Sequence, residues 1–362
     1  MKFPTRHITR SIAAILIVVA ALSAFAKDSE GYNEWKRVDP PAWRDLSSIE
    51  FSGDGTGWLY SPESGILYRT DEVQRWIRHE KLGGDWKLVR DGDKLPLFLI
   101  GPKGEIRVYL EEQQEWAPVY HGGPAITIND VAALPVAKAE GGSYTWNSYA
   151  IIAVGEERYG TRVEPHIIAF QPPARGWREV QIDATSAINT VAVRNPFSVG
   201  DRSVFVAADS SIYVSTDDAF SFRKVNTPVY QNDMLRDITF YDRDRGWAVG
   251  DDGTLLWTTS GGQSWYDNPR QTRDDFVAIK LLGWTLFVLS DDRHNGGDLW
   301  TMSISDDRLK RVDLPHNDTP RSVALDWRGR RWMAGDRGIL YIQSKFDDDD
   351  RLSEPMRIFP DR

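Results

Sequence analysis

An eight-residue phrase occurs three times in this chain, as EWKRVDPP at 34–41, SFRKVNTP at 221–228 and RLKRVDLP at 308–315. Each later copy ends a block of about forty residues, the period of architectures in which a small sheet is repeated until neighbouring copies bury each other's faces. The first copy has almost nothing before it to end. A terminating strand displaced to the beginning is what a ring requires if its last unit is to be completed by its first segment.

The clearest unit, residues 234–269, reads MLRDITFYDRDRGWAVGDDGTLLWTTSGGQSWYDNP. Its apolar runs DITF, GWAVG and TLLWTT are separated by turn residues, among them Asp-Gly and Gly-Gly, and lead into SWYDN, the pattern of four strands joined by tight hairpins. The same order of signals recurs along the chain. Second-strand cores are WLY (58–60), LFLI (97–100), YAIIAVG (149–155), VFVAA (204–208), WAVG (247–250), LFVLS (286–290) and WMAG (332–335), each followed by a third strand: GILY, EIRVY, HIIAF, SIYV, TLLW, DLW and GILY again. Trp76, Trp116, Trp177, Phe222, Trp265 and Leu309 mark the fourth strands, and Trp35 occupies the same slot one repeat length before Trp76. The spacing lengthens before Trp177, where AEGGSYTWN reads as a Gly-rich insertion and EERYGTRVEP as a longer turn.

Seven such units predict an all-β fold, a seven-bladed β-propeller of four-stranded antiparallel blades, closed by the N-terminal strand pairing in the last blade. The tail segment RLSEPMRIF competes for that edge. The FDDDD before it repels itself and disfavours a packed strand, which leaves EWKRVDPP as the expected closing strand.

The start of the chain is read separately from the repeats. Lys2, Arg6 and Arg10 precede the apolar run SIAAILIVVAALSAFA, which ends in Ala24-Phe25-Ala26 ahead of Lys27-Asp28. This is the layout of a secretory signal peptide over residues 1–26, cleaved after Ala26 and short for a bilayer span. Residues 27–362 are then expected to be one propeller domain with an acidic C-terminal tail, periplasmic or secreted, and monomeric. Removing three positive charges from a net −9 leaves −12, which argues against nucleic acid as a partner. The chain has no cysteine, which excludes disulfides, thiolate chemistry and a lipid anchor on an N-terminal cysteine.

The stretch RGWAVGDDGTLLWTTSGGQSW resembles the repeat of the photosystem II stability and assembly factor family, part of the wider group of bacterial neuraminidase-type (Asp-box) repeats. The match rests on Gly246, Trp247, Val249, Gly250, Gly253, Gly261, Gly262, Ser264 and Trp265. Ser260 stands where the family has the Asp of its box. The fourth unit keeps Ser215, Asp217, Ser221 and Phe222 in register with Ala219 in place of Gly, and the first keeps Asp71 and Trp76. The resemblance covers nearly the whole mature chain as architecture and two or three blades as motif. It implies a non-catalytic scaffold that binds a protein partner, a membrane protein or its exported segment, and helps assemble or stabilise a membrane complex. In a non-photosynthetic bacterium that complex would be an envelope transporter or similar assembly.

Sialidases share the repeat, so a glycoside hydrolase is the alternative. Its chemistry would need an arginine cluster, a tyrosine nucleophile and paired acids, and the arginine motif expected to open the first blade is absent from WRDLSSIEF. His7, His79, His121, His166, His294 and His316 are scattered without metal-ligand spacing. DDRHNGGD (291–298) and FDDDD (346–350) lack the alternating ligands of a calcium loop. No cofactor, metal or catalytic residue is therefore expected. Aligning first strands on Ile49, Leu88, Val131, Val191, Ile238, Val277 and Val323 places Ser47, Trp86, Asn129, Asn189, Arg236, Asp275 and Arg321 two positions earlier, as a channel-mouth ring suited to hold a peptide segment. Arg328, Arg330, Arg331 and Arg337 form a second candidate surface, a basic patch on the last blade.

Overall fold

The computed structural model describes residues 35–343, except 72–74, 93, 137–147, 173–175, 199–201, 230–232, 292–295, 307 and 315–317. The signal segment, the AEGGSYTWN insertion, His294, His316 and the acidic tail lie outside the described residues. No helix among the described residues is long and apolar enough to cross a membrane.

The repeat becomes seven four-stranded antiparallel sheets, in a ring. First strands are Ser48–Phe51, Lys87–Val89, Ile126–Pro135, Ile188–Arg194, Leu235–Phe240, Asp275–Leu282 and Pro320–Leu325, in blades 1 to 7. Strand order within a blade follows the chain, so consecutive strands pair as hairpins. In blade 5 the later strands are Gly246–Gly250, Leu255–Thr258 and Tyr266–Asp267.

Blade 7 supplies only three strands of its own, Pro320–Leu325, Arg331–Gly335 and Ile339–Gln343. Its fourth is Lys36–Arg37, in register with Ile342 and Tyr341. The Val38 amide extends the pairing by donating to the Leu340 carbonyl at 2.8 Å. Trp35 meets the edge of Phe287 at 6.4 Å. The displaced phrase thus closes the ring.

What holds the blades together is a seam of apolar side chains between each neighbouring pair. Seven buried clusters occur, one per junction. At the closing junction Phe51 and Trp76 of blade 1 pack on Trp332 of blade 7, with ring centroids 5.7 and 6.0 Å from that indole. At the next, Trp58 of blade 1 is met by Tyr109 and Trp116 of blade 2 at 4.9 and 5.1 Å. Burying large rings from both sides is how a sheet too thin to have its own core is stabilised.

Blade 3 departs from the sequence reading in one detail. EERYGTRVEP is not a long turn. Its residues extend the second and third strands to Tyr149–Tyr159 and Arg162–Phe170, paired out to Tyr159 opposite Arg162 around Gly160.

Candidate functional site

Five first strands carry a β-bulge at the same place, so that one extra residue is unpaired just before the apolar centre. The bulged residues are Asn129, Asn189, Arg236, Val277 and Arg321. Facing the bulges of blades 5 and 7 are Gly250 and Gly335, where an added Cβ would lie 2.2 Å from the Met234 carbonyl oxygen and 2.1 Å from that of Thr319. The glycines ending these two second strands are there because the bulged backbone folds against them.

Most of the expected ring therefore exists, with two corrections. In blade 6 both Val277 and Ile279 fit the alternation, but Ile279 is the residue that pairs like the other centres. The ring position is Val277, 43% exposed. Asp275 sits two residues back and accepts the Asp252 amide of blade 5 at 3.0 Å, as Asp45 accepts the Arg337 amide of blade 7 at 2.8 Å. It is an inter-blade tie.

Trp86 is the other correction, being buried at the junction of blades 1 and 2. It lies over Gly101, donates to the Gly83 carbonyl and carries the Arg107 guanidinium 4.8 Å above its ring. Its bulk belongs to the seam.

Ser47, Asn189, Arg236, Val277 and Arg321 line one central cavity of about 480 Å³. Arg236 is aimed by Asp251 at 2.7 Å, and Arg321 by a two-pronged pair with Asp336 at 2.8 Å. Both aspartates stand on the turn after their blade's second strand. The Asn189 amide donates to the Leu235 carbonyl of blade 5 at 2.7 Å, and the Asn129 amide to Ile188 of blade 4 at 2.9 Å. The Ser47 hydroxyl has no partner among the described residues.

One step deeper lies a belt that the sequence reading passed over: Ser48, Lys87, Asp130, Thr190, Asp237, Ala278 and Ser322, each directly before its blade's apolar centre. Ser48 accepts the Leu88 amide of blade 2, and the Lys87 ammonium reaches the Asn129 carbonyl of blade 3. Asp130 accepts the Val191 amide of blade 4, Asp237 the Ile279 amide of blade 6, and Ser322 the Ile49 amide of blade 1. Thr190 of blade 4 bridges Asp130 and Asp237. Ala278 has no polar group to continue the belt toward blade 7. Comparing the residue before each apolar centre across the seven units was the available signal.

Deeper still, Lys280 of blade 6 pairs with Glu50 of blade 1, past blade 7. Burial raises the Glu50 carboxyl while Lys280 draws it down, with burial prevailing. Asp91, on the loop after blade 2's first strand, opens to the lumen yet has protein on every side. That confinement, with Asp130 and Asp237 nearby, pushes its carboxyl up to about 7. Confinement, with Asp130 again adding repulsion, pushes Asp237 up to about 6. No group of three or more His, Cys, Asp or Glu side chains among the described residues is placed to hold a metal ion.

The last-blade arginines do not form one patch. Arg330 is 5% exposed and closes a pair with the buried Asp326 at 2.6 Å. Arg331 reaches Gln343 and Thr285. Arg328 stacks 4.6 Å over Trp327 on the first hairpin, at the face opposite the mouth. Arg337 sits on the next turn, at the mouth face, with a positive φ of 58°. Arg337 lies past one end of the strand Arg331–Gly335 and the other three at its opposite end, so the four do not share a face.

The turn at 215–221 shows what an aspartate does there. Asp217 accepts the Ser215 hydroxyl at 2.6 Å and both the amide and hydroxyl of Ser221 at 3.0 and 2.6 Å. Desolvation opposes its ionisation, but these bonds prevail and hold it down to about 2. In blade 5 the Ser260 hydroxyl takes over by accepting the Ser264 amide at 2.9 Å. This chemistry is structural.

No family model matches the chain, and no curated protein matches it. Solved structures do. Virginiamycin B lyase from Staphylococcus aureus has 12% identity and a TM-score of 0.64, covering 86% of this chain and 99% of the lyase. The WD40 propeller domain of Doa1 has 11% identity and a TM-score of 0.62, over 87% of this chain and 98% of that one. YCF48 bound to D1 peptide has 13% identity and a TM-score of 0.57, over 86% and 95%. What they share is the propeller. At these identities the likeness is one of fold, and it spans an enzyme, a WD40 domain and a propeller solved with a bound peptide.

Proposed function

We propose that this protein is an exported, non-catalytic scaffold that holds a segment of a protein partner at the channel mouth, in the manner of factors that assemble or stabilise a membrane protein complex. The observation that carries the reading is the mouth itself. Two arginines, each fixed by an aspartate of its own blade, flank the exposed Val277, and Ser47 and Asn189 line the same cavity. Pre-aimed guanidiniums recognise a carboxylate with little ordering cost, and the valine offers apolar contact to the residue beside it. That YCF48 was solved with a D1 peptide supports this use of the fold. In the glycosidase reading Asp130 and Asp237 would be the paired acids, but both are spent on Thr190 and backbone amides.

A photo-crosslinking residue in place of Val277 tests the reading in the native host. It is expected to capture one envelope protein, and the Arg236→Ala/Arg321→Ala variant, folded as judged by its melting curve, is expected to lose that capture. Capture undiminished by the double variant, or glycan hydrolysis by the wild type that the variant abolishes, overturns it.

A further inference from the structure

The inner belt contains a hydrogen-bond arrangement that its visible donors cannot complete. Thr190 is 2% exposed, and its hydroxyl oxygen lies 2.9 Å from Asp130 Oδ2 and 2.9 Å from Asp237 Oδ1. A hydroxyl has one hydrogen, so it donates to one carboxyl and must accept from the other. An ionised carboxylate has nothing to donate. Each of the four carboxyl oxygens accepts one backbone amide, none of which supplies that proton: Val131 and Val191 donate to Asp130, and Ile238 and Ile279 to Asp237.

We propose that a single proton shared through Thr190 between Asp130 and Asp237 is a working part of the ring, a clasp joining the inner edges of blades 3, 4 and 5. Its loss leaves two anions facing one hydroxyl, and their repulsion parts those edges. Asn189 and Arg236, the bulged residues directly before Thr190 and Asp237, move with them, so the mouth answers to pH.

The surrounding charges fit this assignment. Blade 2 brings Lys87, whose ammonium is engaged by the Asn129 carbonyl, and Asp91, a third acid. Blade 6 brings Lys280, already bound to Glu50 of blade 1, while Arg90 donates to the Phe51 carbonyl. Arg236 and Arg321 are held by Asp251 and Asp336, and blade 7 offers only Ser322 at this level. Burial and the neighbouring Asp130 raise the Asp237 carboxyl, in agreement with the geometry.

A raised carboxyl gives the folded state more protons than the unfolded chain, so its contribution to stability is full in acid and is lost as pH rises through the folded value. Infrared difference spectra of the whole protein, recorded from about pH 5 to about pH 8, test the proposal directly. They should show a protonated-carboxyl band that fades at the upper end, together with a falling melting temperature. Asp91→Asn, which removes the third raised acid, should keep at least one such band, and in that background Asp237→Asn and Asp130→Asn should each lose it and flatten the melting curve against pH. Should either Asn variant fail to fold, Thr190→Ser is expected to retain the band and Thr190→Val to lose it. A wild type with no band in this range, a band abolished by Asp91→Asn alone, or one indifferent to Thr190→Val overturns the proposal.

Discussion

At the scale of single residues, the seam aromatics and the bulge glycines do most of the specifying. Trp76 is buried against Phe51 and Trp332, so Trp76→Ala is expected to cost about 3–5 kcal/mol in denaturant unfolding. Trp327, 59% exposed on its hairpin, should change stability by no more than about 0.5 kcal/mol when replaced by alanine. Gly250→Ala places a methyl 2.2 Å from the Met234 carbonyl oxygen and should cost about 1–3 kcal/mol by the same measurement, because the bulge must shift to admit it. Asp217 acts at the opposite pH limb from the clasp. Its folded value of about 2 lies below the ordinary carboxylate range, so its support is present above roughly pH 4 and fades as pH falls toward 2. Asp217→Asn should shrink the loss of melting temperature on acidification, and an unchanged acid limb would contradict this.

At the scale of strands and hairpins, sequence periodicity was a good guide where burial enforces it. Six of the seven second-strand cores lie wholly in paired strands, LFLI lacks only Leu97, and the Trp35 phrase pairs where a ring demands. Turn lengths were less legible, as EERYGTRVEP shows, because strand extension and a long loop share the same polar alternation. The mouth ring was partly legible. Counting back two residues finds the bulged residue in blades 3, 4, 5 and 7, but in blade 6 Val277 and Ile279 are equally apolar and only pairing with Val288 decides between them. Trp86 misled for a different reason: a tryptophan at a ring position can fold sideways into the seam, and no local pattern reports that. The inner belt went unseen because its partners come from neighbouring blades. For the closing strand, a chain beginning at Asp39 removes the Lys36 and Arg37 pairing and the Val38 bond to Leu340. It should unfold at clearly lower denaturant than the full chain, with Ile339–Gln343, the strand left at the edge of blade 7, losing amide protection first.

At the scale of the whole molecule, the ring is braced across its centre as well as around its rim. Lys280 and Glu50 join blade 6 to blade 1 without involving blade 7. Lys280→Ala should cost about 3 kcal/mol, since it strips a confined carboxylate of its partner, whereas the double change Lys280→Met/Glu50→Gln should recover most of that loss. Equal destabilisation in the two variants would show that the brace acts through packing alone. The lumen is layered at this same central location: at the mouth Arg236 and Arg321 are fixed by Asp251 and Asp336, while Asp130 and Asp237 beneath accept backbone amides of neighbouring blades.

The pairing of Lys36 with Ile342 also sets an order of events during biosynthesis. Of the described strands, the one a ribosome makes first is the one whose partner it makes last, so until Ile339–Gln343 is made the arc keeps an unmatched edge at each side. Completion cannot be gradual. Each added blade lengthens the arc without shutting it, and the final join arrives in one step that turns a sticky crescent into a sealed disc.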